Sequence, residues 1–506
     1  MAIQRQLDSY SQRDYDLIIV GGGIYGATLA LEAVFRGLKP LLLEKSDFGS
    51  ATSFNSLRIV HGGLRYLQTL DLPRHFESVR ERRWFLRQFP DHVQALPCLM
   101  PLYKRGIKRK SVFRAALLVN DALSARRNAG VDPGRRLPAG RVISRSEVIS
   151  SFPGVDQEGL EGAAVWWDAA VPDSQRVLME ILRWAAHYGA DTANYVRVTS
   201  VSTSSGAVDG VVAHDEVGDV KLSFRAPVVI NAAGPWSAAM AGQFDGKQHD
   251  WFSPSLAWNV LTDKPAPSDF ALALTPPREG APTYFVHPWK GRMFIGTGHS
   301  AWEGPLENPQ PTDAQMRVMI DDLNAVSPGL GLTEENIVRV FAGLLPATGP
   351  NSGEISKRPV IERHSDSGGP PGLFSLCGVK FTTARLVADK TLDLALGGRA
   401  RRDAASFPRP PPAAGWSCRD IDLSNGKDKD AYLGGLGRIV EEEGAVNLQD
   451  VVFRLTDLWE TPESAMAIAP QVADFFGWSE HKTGDELTAL ASELGRPQLA
   501  GNAVGY

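Results

Sequence analysis

The stretch that most constrains this chain is DLIIVGGGIYGATLALEAVFRGLKPLLLEK, residues 16–45. A short β-branched run, a glycine turn, a helically spaced segment and a second apolar run predict strand, turn, helix, strand. Gly21, Gly23 and Gly26 make GxGxxG: the first permits the tight turn, the second admits a pyrophosphate, the third lets helix pack on strand. The helix that follows offers N–H donors and the positive end of its dipole to phosphate. Glu44 ends the second run, 23 residues after Gly21, where an acid binds ribose hydroxyls. The whole unit predicts a dinucleotide fold; a glycine-rich turn between two strands is the plain alternative.

Two later segments bear on which dinucleotide. VVINAAGPWS, 228–237, reads as a buried strand entering a small-residue turn, and GLFSLCGVKFTTARLVADKTLDLAL, 372–396, as strand, glycine turn and helix. Phosphate-binding turns so far apart in the chain suit FAD, the longer cofactor, better than NAD. A net charge of -5, from 53 basic and 58 acidic residues, argues against a polyanion binder, so nucleic acid is not expected. Three scattered cysteines, Cys98, Cys377 and Cys418, suggest neither a disulfide framework nor a metal site. No signal-type start and no run of 18 apolar residues occurs, so the chain should stay in the cytoplasm or lie on a membrane without crossing it.

With these motifs in order, DLIIVGGGIYGA, SATSFNSLRIVHGGLRYL, WWDAAVPDSQRVLMEILRWAAHYGA, NAAGPW, GVKFTTARLVAD and VNLQDVVFRLTDLW, the chain resembles the FAD-dependent glycerol-3-phosphate dehydrogenases within the D-amino-acid-oxidase-like flavoproteins. The resemblance implies an α/β fold: a Rossmann-like FAD-binding domain (14–85, 160–236 and 340–396) and an inserted α+β substrate or cap domain (86–159 and 237–339). A Pro-rich linker (397–416) and a C-terminal helical domain (417–506) complete the expectation. In the C-terminal part, Val451, Val452, Leu455 and Leu458 fall on one helical face and Pro462 opens a further helix. Nothing catalytic appears there, which leaves docking or homodimer contact as its role.

The implied chemistry is oxidation of a secondary alcohol of a small anionic substrate to a ketone, by hydride transfer to flavin N5, with membrane quinone as electron acceptor. Cofactor contact is implied for Gly21, Gly23, Gly26, Glu44, Lys45, Thr52, Ser53, His61, Gly62, Gly63, Leu64, Gly234, Trp236, Gly378, Lys380 and Thr382. Arg65, Tyr66 and Lys380, with His61 and His287 as imidazoles, are the implied catalytic set. Arg65, Arg358 and Lys380 suit an anion, because guanidinium forks bind phosphate or carboxylate bidentately and lysine acts as a point charge. Taken singly, each is equally a solvated surface charge, and His287 reads first as a packed histidine beside a sheet edge.

Two positions depart from the family. In SLAWNVLTDK, Asn259 stands where the family has a histidine, and in AGLLPATG, Leu345 stands where it has an arginine. Asparagine is no general base and leucine binds no oxyanion. Three readings stay open: another group takes over, the enzyme is retuned to a different hydroxy or amino substrate, or the alignment slips there. A flavoprotein that has lost turnover is the rival from another class, and retention of Arg65, Tyr66 and Lys380 speaks against it. Finally, Lys104, Arg105, Lys108, Arg109, Lys110 and Arg114 precede or enter an apolar run, which reads equally as a peripheral membrane helix or a solvated basic face.

Overall fold

The computed structural model describes residues 3–103, 109–397, 407–411 and 426–495. Two sheets organise the chain. In the first, Leu17–Val20 lies between Pro40–Leu43 and Val229–Asn231, all parallel; Leu373–Cys377 adds a further parallel strand, Val360–Arg363 an antiparallel edge, and Asp191–Ala193 closes the other side. Leu17, Ile18, Ile19 and Val20 are all buried, the signature of a parallel strand covered on both faces. One cover is the helix Ile24–Phe35, packed between Ser174–His187 and Ala384–Leu396. The other includes the three-stranded antiparallel sheet Val196–Ser204, Ala207–Asp215 and Val220–Arg225. This is the predicted α/β nucleotide-binding architecture.

The second sheet is mixed and nine-stranded, running Ile337–Pro346, Pro254–Pro265, Arg292–Ala301, Tyr284–Trp289, Ala271–Leu274, Gln94–Tyr103, Leu160–Ala170 and Ile59–Val60, with Arg141–Ser144 also paired to Leu160–Ala170. Three of its strands come from stretches expected in the FAD-binding domain. Ile59–Val60, Leu160–Ala170 and most of Ile337–Pro346 fall within 14–85, 160–236 and 340–396, and all three pair in this sheet. The reason is hydrogen bonding: Leu160–Ala170 pairs with Gln94–Tyr103 along nearly its whole length. The chain then crosses to the first sheet only at Asp173, which caps the helix Ser174–His187 by accepting the Arg176 N–H at 2.9 Å.

The C-terminal helices Gly426–Glu442, Pro462–Asp474 and Glu480–Gly495 pack with Val451, Val452, Leu455 and Leu458 all buried; Pro462 takes the first helical turn, as its sequence context suggests. Residues 450–455 wind as a π-helix rather than an α-helix. Most of the proline-rich linker, with Cys418, lies outside the described residues.

This unit grips both sheets. Arg176, on the nucleotide-domain helix, meets both Glu443 oxygens at 2.8 and 2.7 Å, and Arg454 reaches Asp47 at 2.5 Å. On the other side Trp459 stacks on Trp289 at 5.9 Å, and Arg339 lies 4.9 Å over Trp459; burial brings that guanidinium down to about 10. Burial raises the pKa of Glu443, but the Arg176, Arg183 and Arg454 charges overcome it and hold the carboxyl below its usual value. Removing one member of a buried ion pair strands the others, at about 3–5 kcal/mol. Glu443→Ala should therefore loosen the 426–495 unit: limited proteolysis should release it early, while the two sheets stay resistant.

Candidate active site

At the nucleotide cradle two of the motif glycines meet a hard constraint. Gly21 sits at φ +111, and a Cβ there would lie 2.6 Å from the Ala232 carbonyl oxygen; a Cβ on Gly26 would lie 1.8 Å from the Gly21 oxygen. Gly23 precedes the helix Ile24–Phe35, whose first N–H is accepted by Ser53 Oγ at 3.0 Å. Glu44 accepts the Gly22 and Ser46 N–H groups at 2.6 and 2.8 Å, and burial pushes its pKa up against those donors. Lys45 lies 3.8 Å over the Trp236 ring, beside the Gly234 turn, and Thr52 Oγ1 donates to the Leu344 carbonyl at 3.1 Å. The close-approach backbone, the helix N-terminus and the acid at the strand end fit FAD: Gly21, Gly23 and Ser53 are the groups that would hold its phosphates and Glu44 its ribose, while Gly26 lets the helix pack on the turn.

Beyond the cradle, HGGL is built on one buried carboxylate. Asp168 accepts the Gly62 N–H at 2.6 Å, Arg82 Nη1 at 2.7 Å and Trp166 Nε1 at 3.3 Å, and pairs with His61 Nδ1 at 3.1 Å. Burial raises its pKa, but His61, Arg82 and the Gly62 N–H win and hold it at about 2. Gly62 cannot be larger, since a Cβ would lie 1.9 Å from an Arg82 nitrogen, and Gly63 turns at φ +85. With Nδ1 engaged by Asp168 and the His61 side chain 45% exposed, Nε2 is the nitrogen left for a substrate.

Two cations flank Tyr66, five residues on. Lys380 Nζ lies 4.4 Å from the Tyr66 ring centroid, with the Arg74 guanidinium 4.7 Å from the same ring. Burial, then the Arg65 charge, lowers Lys380 to about 8. His299 is pushed down by burial and by the same Arg65 charge. Arg358 is exposed; its charge adds to the Arg74 N–H and guanidinium that keep Asp71 below the usual carboxylate range. Tyr25, from within the glycine motif, holds the lysine segment: its hydroxyl accepts the Lys380 N–H at 2.9 Å and donates to the Lys380 carbonyl at 2.8 Å. A Cβ on Gly378 would lie 1.7 Å from the Tyr25 ring, which explains that glycine too. Thr382 follows, buried, at the turn into helix Ala384–Leu396.

Other expectations change. Asn259 is 3% exposed and its amide is committed: Nδ2 donates to the Asn55 carbonyl at 2.9 Å, and Oδ1 accepts from Thr297 Oγ1 at 2.9 Å. It ties the 50–57 loop to the substrate sheet rather than meeting substrate. Leu345 pairs with Ser255, on the strand face shared with Gly343, whose Cα faces Thr52. His287 is 1% exposed, neither ring nitrogen has a partner among the described residues, and burial, Arg58 and His61 lower it to about 3. A sealed imidazole so weakly basic is a poor proton acceptor near neutral pH, which removes His287 from the catalytic set.

Asp168, Tyr25 and His299 went unread in the sequence. A lone acid inside the apolar run AAVWWDAAV was the available signal for Asp168.

Residues 16–394 match the family of FAD dependent oxidoreductases, DAO. The glycerol-3-phosphate dehydrogenase of Synechocystis sp. is 30% identical over 435 residues, 82% of this chain and 76% of that protein. Glycerol-3-phosphate dehydrogenase 2 of Mycobacterium bovis is 32% identical over 386 residues, 76% of this chain and 63% of that protein. Among solved structures, the glycerol-3-phosphate dehydrogenase from Bacillus halodurans complexed with FAD aligns with a TM-score of 0.74 at 22% identity, covering 96% of each chain, a likeness of fold. The chain therefore belongs to the DAO family of FAD-dependent oxidoreductases, with glycerol-3-phosphate dehydrogenases among its relatives.

Proposed function

We propose that this protein oxidises the secondary hydroxyl of glycerol 3-phosphate, or of a close hydroxy-phosphate, to a ketone. The observation that carries this reading is a carboxylate-oriented imidazole, His61 on Asp168, four residues before Arg65, whose charge in turn acts on the buried Lys380. FAD, when bound, supplies the hydride acceptor at N5. His61 Nε2 takes the hydroxyl proton as the C–H bond weakens; Asp168, ionised at all working pH values, holds the ring and stabilises the imidazolium that forms. Arg65 and Lys380 bind the phosphate, Arg358 extends the positive field, and Tyr66 shapes the wall between Lys380 and Arg74. This assignment also accounts for the departure at Asn259: the proton acceptor is His61, and the asparagine has a structural duty. Leu345 leaves the anion to fewer cations than in the family pattern.

Anaerobic mixing with glycerol 3-phosphate, other hydroxy-phosphates, hydroxy acids and amino acids tests the substrate. Bleaching of the flavin should be fastest with the phosphate. His61→Ala should slow that bleaching by roughly 10²–10⁴ without loss of bound FAD. Fast reduction by an amino acid, or an unaffected His61→Ala, overturns the reading.

Lys380 gives a pH signature. With its free ammonium at about 8, and a bound anion raising that value, binding takes up a proton above pH 8. KM for an anionic substrate should rise with pH above about 8, by up to about tenfold per unit, and Lys380→Arg should flatten the rise because guanidinium stays charged.

For the acceptor, we propose quinone reached at a membrane surface. Among the described residues no helix is long and apolar enough to cross a membrane. The helix Lys110–Leu123 does expose Val112, Leu118 and Val119, beside Arg109, Lys110 and Arg114. Lys104, Arg105 and Lys108 lie outside the described residues. Leu70 and Phe76, on the segment after Tyr66, are exposed as well. The protein should sediment with anionic vesicles at low salt, and Leu118→Glu with Val119→Glu should abolish this. Equal sedimentation of that double variant returns the helix to a solvated face.

A further inference from the structure

We propose that Asp245, His249 and His364 form a structural site for a divalent cation of the zinc class. Asp245 is the last residue of helix Ser237–Asp245, His249 follows four residues later, and His364 opens the short turn after the edge strand Val360–Arg363. One ligand atom from each residue lies within 4.8 Å of the others. His364 Nδ1 is 2.7 Å from Asp245 Oδ2, and His249 Nε2 is 3.0 and 3.1 Å from the two Asp245 oxygens. Ligands sharing a zinc ion at bond lengths of about 2.0–2.2 Å stand about 3–3.5 Å apart, so each Asp245–histidine pair already lies near the spacing a shared ion sets.

The surroundings match those of a metal ligand set. The side chains of Asp245 and His364 are fully buried and that of His249 is 6% exposed, so water competes little. His364 Nε2 meets Ser375 Oγ at 2.9 Å, and Asn231 Nδ2 donates to the same oxygen at 3.1 Å. A hydroxyl serves either tautomer: it donates to Nε2 while Nδ1 carries the proton, and accepts from Nε2–H once a cation replaces that proton. The Glu362 carboxylate, 3.9 Å from His249 Nδ1, is placed to orient the second imidazole. Two imidazole nitrogens and one carboxylate favour zinc or its transition-metal neighbours over calcium or magnesium.

The site is independent of the substrate pocket but shares its scaffold. Ser375 lies on the strand that leads to Gly378 and Lys380, and Asn231 Oδ1 accepts the Ala233 N–H at 3.3 Å, just before the Gly234 turn. An ion here would pin the backs of both cofactor-contacting segments.

The test uses the FAD-loaded protein stripped with a chelator and dialysed, then titrated with Zn²⁺ by calorimetry and with Co²⁺ by visible absorption. One equivalent should bind with a raised melting temperature and a tetrahedral-type cobalt spectrum. His249→Ala should weaken binding at least tenfold, and Ser375→Ala by about 10–100-fold. FAD absorbance reports that each variant is folded, and His61→Ala controls for zinc in the substrate pocket. Absence of binding, or binding unchanged in His249→Ala, overturns the proposal and leaves the cluster an internal hydrogen-bond network.

Discussion

The carboxylate of Asp168 is the interaction on which the active site depends. A buried charge is tolerable only when it is paired and its oxygens are satisfied, and Asp168 meets both conditions with an arginine, a histidine, an indole and a backbone N–H. Each partner is thereby placed. Gly62 is drawn onto the strand Leu160–Ala170, Arg82 locks the helix Leu72–Gln88 beneath the loop, and His61 acquires a fixed ring orientation. The strand carrying Asp168 is also the one by which the chain leaves the mixed sheet for the parallel one. The His61 imidazole is therefore fastened close to where the chain passes between the two layers.

The ionisable groups around the glycine turn and the lysine segment differ in sign. Glu44, after the second strand, is an acid with its oxygens turned to backbone N–H groups. Lys380, farther along the chain, is lowered by burial first and then by the Arg65 charge. Two like charges held close are unfavourable until an anion arrives, so part of the field that binds substrate is stored in the folded state. The Tyr25 hydroxyl, bonded to both backbone atoms of Lys380, keeps the lysine segment in place despite that repulsion.

What the sequence displayed, it displayed where physics leaves one residue type. Gly21, at positive φ and 2.6 Å from a carbonyl after adding a Cβ, can only be glycine, so the motif and the nucleotide fold were readable. Arg65, Tyr66 and Lys380 were readable by resemblance. The strand Leu160–Ala170 was not assigned to its sheet, because its pairing partners at 94–103 and 141–144 are set by tertiary hydrogen bonds that leave no local mark. Asn259 looked like a lost base because its partner, the Asn55 carbonyl, is 204 residues away. Asp245, His249 and His364 escaped for the same reason: an acid at a helix end with a histidine four residues later is a common pattern, and the third residue arrives from a turn over a hundred residues away.

Among its described residues the C-terminal unit is marked by its attachments to the two layers rather than by any group of the candidate site. Glu443 and Arg454 bind the layer that holds the dinucleotide, through Arg176 and Asp47; Trp459 binds the layer that holds the pocket, through Trp289 and Arg339. Layers joined only by crossing strands are free to shear, and an imidazole displaced by about 1 Å from its hydroxyl loses much of its catalytic effect. Asp47 lies three residues beyond Glu44, so the clasp begins beside the ribose. A buried ionic clasp on one side and stacked aromatics on the other oppose shear from both directions. The helices 426–495 thus tie the layer that carries Glu44 to the layer that carries Trp289, from both sides.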